Sequence, residues 1–65
     1  MIRQYSRVKL ITDKFEKERA VSGMFGYVIE SYPDGRYEVE FSAANGVTIA
    51  QLVVDEEDLV LASEE

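Results

Sequence analysis

Evenly spaced turn signals place the strongest limit on how this chain can fold. In the stretch Tyr32–Arg36, Pro33 presets φ for the second turn position, and Gly35 accepts the positive φ of a bulge-type closure. A second turn is indicated by the Asn45–Gly46 pair. Short alternating segments between such turns are typical of strands, so the sequence predicts an all-β chain.

The clearest strand follows the first of these turns. Hydrophobic and acidic residues alternate there, which predicts that Tyr37, Val39 and Phe41 point inward. Glu38 and Glu40 are then expected to point outward. Four further strands are predicted, at residues 6–12, 26–32, 47–54 and 59–62.

The arrangement of these strands favours a small barrel. The second strand interrupts its alternation at Val28 and Ile29, as a bent strand does when it contributes to both sides of a barrel. Five short strands fit a closed or nearly closed barrel better than a sandwich, and closure would hide the strand edges. We expect a single domain over residues 1–65, with a core of about residues 6–62.

The segment after the first strand is predicted to be a long charged loop. Asp13 and Glu16 have the spacing of a helix capping box, and Gly23 is suited to end a short helix. The hydrophobic residues of the segment do not form a helical stripe, however. We therefore expect a loop with one helical turn, and one further 3₁₀ turn in the acidic stretch Asp55–Leu59.

Composition excludes several classes of function. The chain has no cysteine and no histidine, so a disulfide framework and a Cys/His zinc site cannot form. No nucleophile turn and no phosphate-binding glycine loop are recognisable, and we expect neither enzyme activity nor a cofactor. No hydrophobic run approaches the ~20 residues that cross a bilayer, and no signal peptide is recognisable. A cytoplasmic protein without membrane contact is expected.

The net charge of −6 is unevenly distributed along the chain. Residues 1–19 carry +3, whereas residues 20–65 carry −9. Phosphate binding requires cations, so nucleic acid is a poor partner for the acidic part, and a basic protein is a good one. RNA binding through the basic first segment remains an alternative, and it predicts measurable binding to generic RNA at low salt.

The order of elements resembles that of the SH3-like barrels, including the strand that follows the Gly23–Gly26 pair. More narrowly, the stretches VKLITDKF, SGMFGYVIESYPDGRYEVEF, GVTIAQLVV and DEEDLVL resemble a family of very small bacterial proteins known only as a domain of unknown function. The resemblance implies a small SH3-like five-stranded barrel. It also implies association with other proteins, in some cases beside toxin or toxin-like genes. The loop KFEKERAVSG is more charged than in that family, so the partner can differ.

Three glutamates are predicted to form an acidic stripe on neighbouring strands: Glu30, Glu38 and Glu40. One interpretation is a solvated face that keeps a small protein soluble, and the other is a docking face for a basic partner. Like charges on neighbouring strands cost some stability, which favours a role besides folding.

A second acidic candidate is the run Asp55, Glu56, Glu57 and Asp58. Carboxylates bind hard divalent cations, but four consecutive acids do not easily converge on one ion, and the spacing is not that of a calcium loop. We therefore expect no metal there. The run is interpreted either as a solvated turn or as a contact with a protein partner.

Five aromatic residues lie outside the clearest strand: Tyr5, Phe15, Phe25, Tyr27 and Tyr32. Most of them are predicted to belong to the core. Phe15 and Phe25, near the long loop, are predicted to be exposed and to anchor a protein interface.

These features together predict a small acidic protein-binding module without catalytic activity. Its most concrete role is that of an immunity or antitoxin-like protein, which neutralises a basic partner such as a nuclease toxin by competing for its phosphate-binding cleft. The alternative is a structural or regulatory accessory subunit that docks on a larger enzyme. The first role requires salt-sensitive binding through Glu38 and Glu40, and the second does not. The sequence does not indicate the oligomeric state.

Overall fold

The computed structural model describes residues 2–62 and contains five β-strands and two short 3₁₀ turns. The strands are β1 (Arg7–Leu10), β2 (Phe25–Ser31), β3 (Arg36–Ser42), β4 (Thr48–Asp55) and β5 (Leu59–Leu61). The 3₁₀ turns are Glu16–Glu18 and Glu56–Asp58. The predictions of an all-β chain, of five short strands and of a long loop after the first strand are confirmed. Within residues 2–62, no helix is long and hydrophobic enough to cross a membrane.

All five strands lie in one antiparallel sheet, in the order β4-β3-β2-β1-β5. Consecutive strands from β1 to β4 are neighbours, and β5 returns to pair with β1. Among the described residues, the outer edges of β4 and β5 pair with no further strand, so the sheet is not closed. Closure would require β4 to pair with the outer edge of β5, and no such pairing is present among residues 2–62.

The core lies against one face of the sheet, where alternate residues of the strands are buried. Tyr37, Val39 and Phe41 point into it as predicted, and Val39 and Phe41 are completely buried. The other buried hydrophobic residues are Ile2, Val8, Leu10, Ala20, Val28, Val54 and Leu59. Because Ile2 belongs to this cluster, the packed core begins before residue 6.

The backbones of β2 and β3 approach closely at Gly26. A Cβ atom at this position would lie 2.6 Å from the carbonyl oxygen of Glu40, so only glycine fits without rearrangement. Beyond it, the register of the two strands shifts between Val28 and Glu30, which confirms the predicted bend. After this shift, Glu30 pairs with Glu38.

Both predicted turns are present and use glycine as expected. Gly35 has a φ of 86° and Gly46 a φ of 87°, values that other residues rarely adopt. The loop between β1 and β2 contains the one expected helical turn. That turn ends at Arg19, with a φ of 73°, instead of at Gly23.

Candidate protein interface on the sheet

The face of the sheet opposite the core carries the acidic residues predicted on β2 and β3. Directly paired residues of neighbouring strands point to the same side of a sheet, so the register determines which side chains share this face. We call it the outer face. Its members on β1 to β4 include Arg7, Lys9, Phe25, Tyr27, Glu30, Arg36, Glu38, Glu40, Thr48, Gln51, Val53 and Asp55.

Charge changes sign across the outer face. Arg7 of β1 pairs with Tyr27 of β2, which in turn pairs with Glu40 of β3, so a basic, an aromatic and an acidic side chain lie in one row. Lys9 is a second basic residue on this side of β1, and Glu38 is a second acidic residue on this side of β3. Along this row the outer face changes from basic to acidic across an aromatic residue, whereas Glu30 on β2 and Arg36 on β3 depart from a simple division into two sides.

The aromatic pair on β2, Phe25 and Tyr27, is accessible to a partner. The exposed fraction is 38% for Phe25 and 47% for Tyr27. The guanidinium carbon of Arg7 lies 4.0 Å from the centre of the Phe25 ring, and the ammonium of Lys9 lies 5.7 Å from it. Such cation–π contacts are worth about 0.5–1 kcal/mol at exposed sites and fix the ring on the surface. The predicted exposure of Phe25 is confirmed.

The prediction that most of the five aromatic residues belong to the core is wrong. Tyr5 is 72% exposed and precedes β1. Phe25 and Tyr27 point outward because Gly26 and Val28 occupy the inward positions of β2. The alternation of Phe25, Gly26, Tyr27 and Val28 indicates this orientation. The glycine that β3 approaches lies on the buried side of the strand, so the two aromatic residues beside it lie on the exposed side.

Phe15, the second predicted anchor, is only partly exposed and packs against the core cluster. Its carbonyl oxygen accepts hydrogen bonds from the N–H groups of Glu18, at 2.9 Å, and Ala20, at 3.2 Å. It also occupies the capping position of the first 3₁₀ turn, two residues after the capping position predicted at Asp13. Phe15 thus lies in the loop and not on the outer face.

The acidic stripe is held in place by neutral donors. Glu38 accepts hydrogen bonds from the side-chain amide of Gln51 and, at 2.7 Å, from the hydroxyl of Tyr32. These bonds favour the ionised form and lower the pKa of Glu38, the Gln51 bond having the larger effect. The hydrogen bond between Tyr32 and Glu38 also raises the pKa of Tyr32, because the carboxylate accepts this bond and so disfavours loss of the hydroxyl proton. Glu38 is therefore charged at neutral pH in a fixed orientation.

The other two members of the stripe lie beside Glu38. Glu40 accepts a hydrogen bond from the hydroxyl of Thr48 at 2.7 Å. Glu30 is the cross-strand partner of Glu38, which places two like charges directly opposite each other, an arrangement that costs stability. The predicted proximity of the three glutamates is confirmed. Tyr32, Gln51 and Thr48, which orient the stripe, were not identified from the sequence because they come from separate segments.

The acidic run after β4 has structural contacts of its own. Glu56 accepts a hydrogen bond from the hydroxyl of Tyr37 at 3.2 Å. Asp58 is 8% exposed and forms an ion pair with the ammonium of Lys14 at 2.8 Å, which raises the pKa of Lys14. Two of the four acids thus bind groups of the same chain, which accounts for part of this charge without a partner.

Three carboxylates of this run nevertheless lie close together. Asp55, Glu57 and Asp58 each place an oxygen within 4.8 Å of the others, although four consecutive acids were not expected to converge. The chain folds a tight 3₁₀ turn here, and residues three apart, such as Asp55 and Asp58, lie on the same side of such a turn. Lys14 supplies a cation to the buried member of the group.

A surface hollow of about 440 Å³ adjoins the aromatic pair. Its walls include Phe25 and Tyr27 on one side and Ala43 and Gly46, from the turn between β3 and β4, on the other. Hollows beside exposed aromatic side chains are typical of interface anchor sites.

Comparison with known protein families identifies the chain as one member of a family. The model of the family described as a domain of unknown function (DUF4926) matches residues 4–61. Because the match covers nearly the whole chain, the protein belongs to this family, as its resemblance implied. No curated protein and no solved structure matches the chain.

Proposed function

We propose that this member of the DUF4926 family is a non-catalytic, cytoplasmic protein-binding module that covers a basic surface of another protein. The observation that carries the proposal is the acidic stripe, in which Glu38 and Glu40 are already oriented by hydrogen bonds. Side chains that are fixed before binding lose less conformational entropy on association. A solvated face that served only solubility would not require such fixed carboxylates.

The most concrete role of this kind is that of an immunity or antitoxin-like protein. A nuclease toxin binds phosphate through a positively charged cleft, and a row of carboxylates competes for the same cleft. Glu38 and Glu40 are spaced about 7 Å apart along β3 and point to one side. Electrostatic attraction accelerates association in this mechanism, and burial of Phe25 and Tyr27 slows dissociation.

A second candidate function is supported by the aromatic pair and the adjoining hollow. An accessory subunit of a larger enzyme docks mainly through hydrophobic contacts, and Phe25 and Tyr27 are exposed for such contacts. In this case most of the binding energy comes from the aromatic pair. Salt then has little effect on the affinity.

The two roles are separated by the salt dependence of binding and by removal of the stripe charge. The tagged chain is used to capture its partner from the native host at low salt, and the affinity of the purified pair is measured from low to high salt. The double variant Glu38→Gln plus Glu40→Gln removes two charges and preserves side-chain size. We expect it to weaken binding at least about tenfold, and we expect salt to weaken wild-type binding steeply.

A matched control carries the same charge change away from the outer face. Glu16→Gln plus Glu18→Gln alters two exposed carboxylates of the first 3₁₀ turn and is expected to leave the affinity unchanged. Equal affinities for both double variants, together with a weak salt dependence, would contradict the acidic-stripe mechanism. Loss of binding on Tyr27→Ala under those conditions would support the accessory subunit instead.

A further inference from the structure

The free edge of β4 differs from the other free edge of the sheet. β5 has three residues, and so short an edge strand offers a partner little to pair with. β4 has eight residues and pairs with β3 without interruption from Ala50 to Asp55, because the register shift is confined to its start. Residues 48–54 include no charge and no proline, two features that commonly block an exposed edge. The edge of β4 is therefore open to pairing.

The hydrogen-bond pattern determines which backbone groups face this edge. The N–H of Glu56 donates to the carbonyl oxygen of Gly35 at 3.2 Å, so the Gly35–Glu56 pair is hydrogen-bonded. Bonded and non-bonded pairs alternate along an antiparallel ladder. Gln51 and Val53 lie an odd number of residues before Glu56, so both belong to non-bonded pairs and direct their N–H and C=O groups away from β3. Both residues are exposed, and these groups are accessible to an added strand.

The side chains beside this edge differ between the two sides of the sheet. On the outer face, Glu38 and Glu40 reach toward β4, since each accepts a hydrogen bond from a β4 side chain. On the opposite side, Ala50 and Leu52 pack against the core cluster but are only partly buried. A strand added here would meet carboxylates on one side and incompletely covered hydrophobic residues on the other.

We infer that the basic partner supplies an extended segment that pairs with β4 as an added antiparallel strand, in which basic and hydrophobic residues alternate. Cross-strand partners point to the same side of a sheet, so the basic residues lie opposite Gln51 and Val53 and a hydrophobic residue lies opposite Leu52. The remainder of the partner lies on the outer face. The inference rests on the proposed function, because it names the part of the basic partner that reaches the acidic stripe.

The basic side chains of such a strand reach the acidic stripe across β4. Neighbouring strands lie about 4.8 Å apart, so the added strand lies about 10 Å from β3. A lysine covers much of this distance with its hydrocarbon stem, which lies along the surface of β4, and the glutamates reach toward it. Glu38 and Glu40 are the cross-strand partners of Val53 and Gln51, so each carboxylate meets one basic residue.

The charges at the end of β4 are compatible with a basic segment. Arg36 is the basic residue of β3 on the outer face, and its guanidinium lies 3.1 Å from the carboxylate of Asp34, which offsets its charge. Asp55, the cross-strand partner of Arg36, is exposed and adds a second carboxylate. The end of β4 is thus acidic on balance.

Amide hydrogen exchange in the presence of a synthetic peptide tests the inference on the wild-type chain. The probe is a short peptide with blocked ends, in which lysine and valine alternate. In the free chain, we expect rapid exchange at Gln51 and Val53 and slow exchange at Leu52 and Val54, which bond to β3. The peptide is expected to slow exchange at Gln51 and Val53 at least about tenfold. Slow exchange of these two amides in the free chain, or no slowing by the peptide, overturns the inference.

Two methylated peptides form a matched pair that tests the strand pairing itself. In an antiparallel strand beside β4, the lysines direct their backbone N–H groups toward β4, and the valines direct theirs to solvent. Methylation of two lysine backbone nitrogens is expected to weaken binding at least about tenfold relative to methylation of two valine backbone nitrogens. Equal affinity of the two methylated peptides, or tighter binding of the lysine-methylated one, overturns the inference.

Charge variants separate this inference from the proposed function. Glu38→Gln plus Glu40→Gln is expected to weaken peptide binding at least about tenfold, whereas Glu16→Gln plus Glu18→Gln leaves it unchanged. Binding that depends on Glu38 and Glu40 but not on the methylated position overturns pairing with β4 and leaves the proposed function standing. Binding that depends on the methylated position but not on these charges overturns the basic character of the segment and contradicts the acidic-stripe mechanism as well.

Discussion

The hydroxyl of Tyr32 donates a hydrogen bond of 2.7 Å to the carboxylate of Glu38 and so ties the β2–β3 turn to the acidic stripe. Gln51 of β4 donates to the other carboxylate oxygen. Two separate segments, the β2–β3 turn and β4, thus converge on one glutamate of the outer face. The fold determines not only which side of the sheet this charge occupies but also the direction in which its oxygens point.

We expect Gln51→Ala to raise the pKa of Glu38 more than Tyr32→Phe does, because the Gln51 bond contributes most to lowering that pKa. A pKa that is lower in the folded state contributes stability above the unfolded-state value, here 4.5, and this contribution is lost as pH falls through the folded-state pKa. Both variants should therefore lose less stability than the wild type on acidification. Carbon-13 NMR titration of the Glu38 carboxyl measures the shifts, and an unchanged pKa in both variants would show that these contacts do not persist in solution.

Gly26→Ala is expected to destabilise the fold by about 2 kcal/mol or more, because the new methyl group would meet the Glu40 carbonyl oxygen at 2.6 Å. Gly46→Ala is the matched control. It has no atom within 4 Å of the added carbon and only the strain of a φ of 87°, which costs about 1 kcal/mol. Urea unfolding gives both values. A smaller loss at Gly26 than at Gly46 would mean that β2 and β3 are not in close contact there.

Lys14→Met is expected to lower stability at neutral pH, because it leaves the nearly buried carboxylate of Asp58 without its cation. The pKa of Lys14 is raised by this contact, so its contribution is present below 10.5 and is lost as pH rises through the folded-state value. The difference between wild type and variant in urea unfolding should therefore shrink at high pH. Lys17→Met, at an exposed position of the same loop, serves as the control. Equal stability of the Lys14 and Lys17 variants at neutral pH would contradict a structural role for the ion pair.

Local sequence signals were sufficient for the strands and turns. Such signals depend on a few neighbouring residues. They include the turns at Gly35 and Gly46 and the alternation from Tyr37 to Phe41, all of which were predicted correctly. The bend after Val28 was readable for the same reason. The openness of the sheet was not, because it depends on whether the outer edges of β4 and β5 meet, which no local pattern specifies.

The composition of the candidate interface was only partly predictable. The three glutamates of the stripe were identified from alternation, but the row that Arg7 forms with Tyr27 and Glu40 follows only from the register of the strands. The close approach of β3 at Gly26 places this glycine on the inner side of β2, so its neighbours Phe25 and Tyr27 point outward. Alternation indicates which side of its own strand a residue occupies, whereas its neighbours across strands follow only from the register.

The most direct test of the outer face as a binding surface is an NMR titration of the nitrogen-15-labelled chain with the basic protein captured at low salt. We expect the largest amide shifts on β2 and β3, at Tyr27, Glu38 and Glu40, and we expect salt to reverse them. Shifts confined to the β1–β2 loop or to the Glu56–Asp58 turn, with β3 unchanged, would contradict binding through the acidic stripe.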